Sequence, residues 1–385
     1  MKTGMAPISI PAKPISMSAP DIGDRERELV QQVLSSGTLS GGPFAGEFER
    51  RFETLLGARH AVAVNSGTAG LHAAVIAAGL QAGDEVVTTP FSFVASANCI
   101  LYERGIPVFA DVDSLTLNID PAQLEAQITP RTRGIVVVHV FGQPAGMDEV
   151  LDIARRRGLW VVEDACEALA AEYKGRPAGT FGDAAVFAFY PNKQITTAEG
   201  GIVVTQRDDV AAAIRALRNQ GREPGDSWLT HSRLGFNYRL SELHAAVGVA
   251  QMERLDVLLA SRARVAAGYT ERLAGSDCVE VPRIASTTTR MSWFVYVVRL
   301  PPGVDRHAVV IRLEQHGIPA RAYFPPIHQQ PYFRQRFAYT PGMLPVTERE
   351  GSRTLALPFH GALSDSQLDY VCTHLQDVVK QLRSS

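Results

Sequence analysis

Three short stretches hold the residues whose types and spacing suit chemistry. In FAFYPNKQITTAEGG, residues 187–201, a single lysine, Lys193, stands between an aromatic run and a Gly-Gly turn, with no acidic residue within three positions. VFAFY reads as a strand and EGGIVVT as a returning strand, which leaves the lysine on the turn between them. A loop amine that is partly out of water and close to other cations becomes a nucleophile toward an aldehyde. Plain exposure is the commoner fate of a loop lysine. LWVVEDACEA ends an apolar strand in Asp164, whose carboxylate is expected at the carboxyl edge of a sheet. Such a group needs a cation or hydrogen-bond donors, because burying it unpaired is costly. A salt bridge or a helix cap meets that need as well as a ligand does. NSGTAGLHAA, residues 65–74, follows the strand AVAV with a small-residue turn that opens a helix. The free N–H groups and the positive end of the dipole at such a helix start suit a phosphate, and Ser66 and Thr68 add hydroxyls. Ser and Thr also cap helices without binding anything.

Each stretch has an ordinary structural explanation, but together they match the needs of one cofactor. Pyridoxal phosphate requires a site for its phosphate, an amine for its aldehyde and a carboxylate for its ring nitrogen. The helix start would hold the phosphate and Lys193 would join the aldehyde as a Schiff base. Asp164 would keep the pyridine nitrogen protonated.

The elements that must position these residues are visible in the apolar pattern. At 385 residues the chain exceeds the size at which single cores tend to split, so two domains are expected. From about residue 60 to 205, Val-rich runs alternate with helical patterns, the signature of a mostly parallel α/β sheet with helices on both faces. Ligands of such sheets sit beyond the carboxyl ends of the strands. Upstream, DRERELVQQVLSSG predicts a helix with Asp24 as its cap and Gly37 as its stop. Residues of about 241–273 predict one long connecting helix. Beyond it SWFVYVVRL reads as a strand and DRHAVVIRLEQHG as a helix. SDSQLDYVCTHLQDVVKQL reads as a final helix with Leu368, Val371, Cys372, Leu375, Val379 and Leu382 on one face. The expected division is a large cofactor-binding domain with an N-terminal arm over residues 1–250 and a smaller C-terminal α+β domain over 251–385.

Composition narrows the function classes. A formal net charge of -2 with 20% charged residues gives no sign of a nucleic-acid or membrane partner. The four cysteines are scattered and form no CxxC, and the histidines form no HExxH, so neither a metal site nor a disulfide framework is expected. No GxGxxG follows the first strand and no GxxxxGK occurs, which argues against a dinucleotide-dependent oxidoreductase or a nucleotide triphosphatase. The proline-broken N-terminus does not read as a signal peptide, and no run approaches a membrane span of about 20 apolar residues. A soluble, cytoplasmic protein is expected.

With these residues in place the chain resembles the DegT/StrS family of sugar aminotransferases, which have the aspartate-aminotransferase type of fold, the fold type I of pyridoxal-phosphate-dependent transferases. The resemblance runs over roughly residues 15 to 380. It is carried by NSGTAGLHAA, DEVVTTPFSFVASANCILYERGIPVFADVD, EDACEALAAEYKGRPAGTFGD, the Lys193 loop with EGGIVVT, GFNYRLSELHAAVG and LALPFH. It implies that Lys193 carries the cofactor and moves protons, and that Asp164 partners the ring nitrogen. Gly67 and Thr68 then fall at the phosphate turn, and Phe93, otherwise a core residue, at the position of a ring stacked on the cofactor. Glu167 falls near the cofactor's phenolic oxygen, which it would repel if ionised. Asn237 matches an asparagine that reaches the phosphate of the neighbouring subunit, which implies a homodimer with shared active sites. One departure stands out. Ala188 occupies the place, five residues before the lysine, where many members have a phosphate-binding serine, leaving the Ser66–Thr68 turn, Asn192 or Gln194 to compensate.

The implied reaction is a ping-pong transamination. L-glutamate leaves its nitrogen as pyridoxamine phosphate and departs as 2-oxoglutarate, and a nucleotide-linked keto sugar collects the nitrogen. A 4-keto-6-deoxyhexose is the first expectation, since EDACEA resembles the C4-aminating perosamine synthases. A 3-keto sugar or a cyclitol is the alternative, and a non-catalytic regulatory protein of the same fold is the alternative of another class. Tyr323 and His328, in RAYFPPIHQQPYF, are candidate substrate ligands or interdomain packing residues.

Overall fold

The structure is a computed structural model that describes residues 14–223, 225–227 and 229–383; most of the proline-rich start of the chain lies outside these residues. Helix α1 (Asp24–Ser36) begins at Gly23, which has an extended backbone (φ -111°), and ends at Gly37 with φ 71°. Asp24 is therefore in the first turn and is not the cap. The cap moves back one residue because Glu26 Oε2 accepts the Gly23 N–H at 2.7 Å, while Asp24 complements the positive end of the helix dipole. Helix α2 (Pro43–Leu56) follows.

The central sheet is built from β1 (His60–Val64), β2 (Glu85–Thr88), β3 (Ile106–Phe109), β4 (Thr132–Val138) and β5 (Trp160–Asp164). After the small hairpin β6 (Glu172–Tyr173) and β7 (Arg176–Pro177) it is completed by β8 (Ala184–Ala188) and β9 (Gly201–Thr205). Seven strands run in the order β1-β9-β8-β5-β4-β2-β3. Only β9 is reversed, pairing antiparallel with both β1 and β8. Helices α3 (Gly67–Ala77), α4 (Ala95–Tyr102), α5 (Pro121–Ala126), α6 (Met147–Arg157) and α7 (Asp208–Arg218) connect and cover the strands.

Alternate residues of each strand face opposite layers. Val136, Val162, Val186 and Val203 pack against Leu71 and Val75 of α3 and Ile100 of α4. Ile135, Val137 and Val161 pack against Leu124 of α5 and Val150 and Ile153 of α6. Burial on both sides explains why these strands read as nearly unbroken apolar runs. It also fixes direction at the end of β5, because Asp164 shares the face of Val162, toward α3 and α4, and Glu163 points the other way.

The expected single helix over about 241–273 is two helices, α8 (Glu242–Glu253) and α9 (Leu255–Leu273), interrupted at Arg254 (φ -126°, ψ 24°). The break lets each half serve a different layer: α8 packs on α1 and α2, and α9 on the C-terminal helix. Strand β10 (Thr288–Arg290) joins the β6–β7 hairpin. The antiparallel sheet β11-β13-β12, from β11 (Tyr296–Arg299), β12 (Arg321–Ala322) and β13 (Thr354–Leu357), forms the smaller unit with α10 (Arg306–Gln315), α11 (Pro331–Arg336), α12 (Pro345–Arg353) and α13 (Asp365–Arg383). In α13 Leu368, Val371, Cys372, Leu375 and Val379 are buried against Tyr269, Tyr296 and Leu313, with Leu382 at the margin. No described helix is long and apolar enough to cross a membrane.

One carboxylate ties the end of β3 to the C-terminal part of the chain. Buried Asp111 accepts from Val346 N–H at 2.9 Å, Thr347 N–H at 2.8 Å and Thr347 Oγ1 at 2.7 Å, capping α12 from across the chain. Asp111→Ala leaves those donors unmet at a helix start. A loss of about 2–4 kcal/mol is expected by urea denaturation, and a change under about 1 kcal/mol would refute this role.

Candidate active site

At the carboxyl ends of β5 and β8 lies a cavity of 670 Å³, within the range of roughly 300–1,000 Å³ usual for small-molecule sites. Its walls include Ser66, Gly67, Thr68, Phe93, Asp164, Glu167, Lys193 and Tyr323, so one chamber unites residues from five separated stretches.

The start of α3 forms one end of the cavity. Ser66 is its N-cap: Oγ accepts from Ala69 N–H at 3.1 Å, and the Ser66 carbonyl from Gly70 N–H at 3.0 Å. The capping role expected of such a serine is thus present, and its hydroxyl proton can still be donated. The N–H groups of Gly67 and Thr68, at the first positions, have no partner inside the helix. Close packing brings this turn to the sheet. A Cβ on Gly67 would stand 2.6 Å from Ala188 Cβ, and one on Gly201 would stand 2.6 Å from the Ser66 carbonyl oxygen. Any larger residue at either place would push the helix start off the strands.

Asp164 ends β5 with its side chain buried. Oδ2 accepts from Ser96 Oγ of α4 at 2.9 Å, and Oδ1 from Cys166 N–H at 3.2 Å. Each oxygen keeps acceptor capacity toward the cavity. Lys193 lies on the turn after β8, its N–H bonded to Tyr190 O at 2.9 Å. The strand stops at Ala188, two residues earlier than VFAFY suggested, so Phe189 and Tyr190 belong to the turn. The Lys193 amine sits 3.9 Å from the centre of the Phe294 ring and 3.9 Å from Glu167 Oε1, the outer limit of an ion pair.

Glu167 is buried, and desolvation pushes its carboxyl up to about 7; the Lys193 charge and the Phe141 N–H, 2.8 Å from Oε2, oppose the shift. Near neutral pH a substantial fraction is protonated, so the carboxyl can donate a hydrogen bond to an anionic oxygen.

The remaining predicted residues are distributed unevenly. Phe93 is exposed on the cavity wall, and Tyr323 lines it, stacked near Phe294 and Phe141. His328 is fully buried outside the cavity wall, against Phe109 and Tyr339, with Nε2 3.3 Å from Glu348 Oε1, a geometry that serves packing. Asn237 is exposed and outside the cavity; its carbonyl accepts from Asn65 Nδ2 at 3.2 Å. Gln194 spends its amide on Glu167 O at 2.5 Å and Ser292 Oγ at 2.8 Å. Asn192 lines the cavity, and its buried Oδ1 has no partner among the described residues. Sequence reasoning missed Phe294 and Ser96. Ser96 stands three residues after Phe93, on the same side of a helical turn, which was a usable signal; Phe294 lay inside a run read only as a strand.

The model of the DegT/DnrJ/EryC1/StrS aminotransferase family matches residues 20–376. The chain belongs to that family. It is 41% identical over 369 residues to GDP-perosamine synthase of Caulobacter vibrioides, covering 95% of this chain and 98% of that protein. It is 37% identical over 377 residues to the spore coat polysaccharide biosynthesis protein SpsC of Bacillus subtilis, covering 94% and 96%. Among solved structures, DesI in the presence of its TDP-sugar product superposes with a TM-score of 0.89 at 34% identity, covering 97% of this chain and 95% of that one. The chain is an aminotransferase with the type I fold of the pyridoxal-phosphate-dependent transferases.

The raised Glu167 pKa has a stability consequence. A carboxyl whose folded pKa lies above its unfolded value stabilises the fold when protonated, and that contribution is lost as pH rises from about 4.5 through about 7. Glu167→Gln removes this dependence. Without cofactor, its stability relative to the unsubstituted protein should grow by on the order of 1–3 kcal/mol between pH 5 and pH 8, measured by denaturant titration. A difference that stays flat with pH would contradict the assignment.

Proposed function

We propose that this aminotransferase moves an amino group onto a nucleotide-linked keto sugar, with pyridoxal phosphate held in the 670 Å³ cavity. The observation that carries this reading is that Asp164, Lys193 and the start of α3 line one chamber, because no simpler ligand needs all three. Bound there, pyridoxal phosphate supplies an aldehyde for the Lys193 amine and an electron-accepting ring that lets nitrogen pass from donor to acceptor.

The protein's part can be assigned group by group. The first-turn N–H groups of α3, with Ser66 and Thr68, bind the phosphate, and Asn192 supplies a further polar group in the absence of a serine at position 188. Asp164, buried and fixed by Ser96 and the Cys166 N–H, accepts the ring N–H and keeps it protonated. Phe93, exposed on the cavity wall, would cover one face of the ring. Glu167 in its protonated form donates to the phenolic oxygen. With the cofactor bound, the Lys193 amine would be the general base and acid that holds and moves the proton at the reacting carbon. Asn237 belongs to an exposed segment and serves the phosphate of a second copy, so the active unit is a homodimer.

The sugar assignment draws on the relatives. GDP-perosamine synthase and the DesI structure with a TDP-sugar both favour a nucleotide-linked acceptor. EDACEA favours a 4-keto-6-deoxyhexose, and L-glutamate is the proposed donor, in a ping-pong cycle. Tyr323 lines the cavity, which supports its reading as a sugar ligand.

The purified protein with pyridoxal phosphate should be yellow, lose its colour with L-glutamate and regain it with a 4-keto-6-deoxy nucleotide sugar. Borohydride reduction and peptide mapping should mark Lys193; a mark on another lysine, or a protein that stays colourless, would overturn the reading. Lys193→Ala and Asp164→Ala should each reduce turnover by about 10²–10⁴-fold.

A further inference from the structure

Behind the cavity, a cation is buried where the apolar stripe of α9 should continue. Leu255, Leu258, Val265, Ala266, Tyr269 and Leu273 are the buried residues of that helix, and Arg262 is buried among them at 6% exposure. No ion pair to a carboxylate reaches it among the described residues. Its partners are carbonyl oxygens: Nε donates to Trp293 O at 2.9 Å, and Nη2 donates to Asn192 O and Phe294 O, each at 3.0 Å. The guanidinium also lies 5.3 Å from the centre of the Phe359 ring. Burial lowers its pKa to about 10, which still leaves it charged at neutral pH.

A buried cation without a counter-charge is a poor stability device, and an apolar residue in the stripe would serve the core better. What the arginine adds is geometric. Asn192 immediately precedes Lys193, and Phe294 carries the ring beneath the Lys193 amine. One rigid, planar fork therefore holds both backbone segments that determine where the amine stands, although Arg262 is not on the cavity wall.

We propose that Arg262 is a positioning residue for Lys193, clamping the lysine turn to the Trp293–Phe294 segment so that the amine is presented to an aldehyde in the cavity. The proposal rests on the pyridoxal-phosphate reading, and the experiment separates the two. Arg262→Met keeps the length of the stem and loses charge and fork; Arg262→Lys keeps the charge and loses the fork. For each purified protein stripped of cofactor, two measurements are made. One is the rate at which added pyridoxal phosphate forms the yellow adduct; the other is the affinity for pyridoxamine phosphate, which has no aldehyde and needs no lysine.

Both variants should form the adduct about tenfold more slowly or worse, while pyridoxamine phosphate binds within about twofold of the unsubstituted protein. Equal loss of both would show that Arg262 merely supports the fold, and no loss of either would show that the clamp is idle; each result overturns the proposal. If Arg262→Met does not fold, Arg262→Lys decides alone. Failure of the unsubstituted protein to form any yellow adduct would instead refute the cofactor reading.

Discussion

A carboxylate at the end of a strand buried on both faces has to be met by donors, and β5 ends in two of them. Alternation sends Glu163 and Asp164 to opposite faces, and the structure treats them differently. Glu163 is saturated: it accepts from His139 Nε2 at 2.9 Å, Gly179 N–H at 2.8 Å, Phe181 N–H at 2.6 Å and Gly182 N–H at 2.7 Å. His139 is held as the tautomer with its proton on Nε2, because Nδ1 accepts from Ala145 N–H at 3.1 Å. That face closes the turn leading into β8. Among the described residues Asp164 receives Ser96 Oγ and the Cys166 N–H alone, and so retains acceptor capacity toward the cavity. The same strand end thus makes a structural carboxylate on one side and a site with spare capacity on the other. Ser96, carried by α4, supplies one of the donors this strand end needs.

The second requirement is close approach at the start of α3. Gly67 and Gly70 put that helix directly on β8, where a Cβ on Gly70 would come within 2.7 Å of Val186 Cγ1. Gly201 does the same from β9. The methyl of Ala188 lies under Gly67, where an added Cβ would meet it at 2.6 Å. The amides of Gly67 and Thr68 are fixed dipoles at the cavity, and they do not depend on side-chain identity. An anion held mostly by backbone N–H groups tolerates the change from serine to alanine better than one held by hydroxyls.

Much of this was legible in the amino-acid order. The alternation of Val-rich runs with helical patterns gave the sheet, because burial on both faces leaves an unmistakable apolar record. Asp164, Lys193 and the Ser66–Thr68 turn were readable because strand ends are marked locally. What escaped were dependencies between distant segments. The helix break at Arg254 carries no glycine or proline, since a change of packing partners causes it. Glu26 displaced Asp24 as the group that caps α1, through a reach-back contact that composition alone does not rank. Phe294 and Ser96 reach the site from segments whose local patterns announce only a strand and a helix. Arg262 did leave a trace, a charge at a stripe position of an amphipathic helix, which is where a buried partner should be sought.

The chemistry of the chamber depends on a charge balance that these contacts set. Burial alone would keep the Glu167 carboxyl neutral, and the Lys193 ammonium is the chief influence pulling it the other way. The protonation of Glu167 therefore depends on the charge at Lys193. Whenever the Lys193 nitrogen carries no positive charge, that influence vanishes and Glu167 moves further up, staying protonated and able to donate. Whenever the nitrogen is an ammonium, Glu167 is drawn toward ionisation, and the pair approaches zero net charge inside a chamber that penalises an unbalanced one. At 3.9 Å the two groups stand at the outer limit of an ion pair, close enough for each charge to influence the other. The Phe294 ring, 3.9 Å from the Lys193 amine, offers the nitrogen no proton acceptor, which leaves Glu167 as the nearby carboxyl.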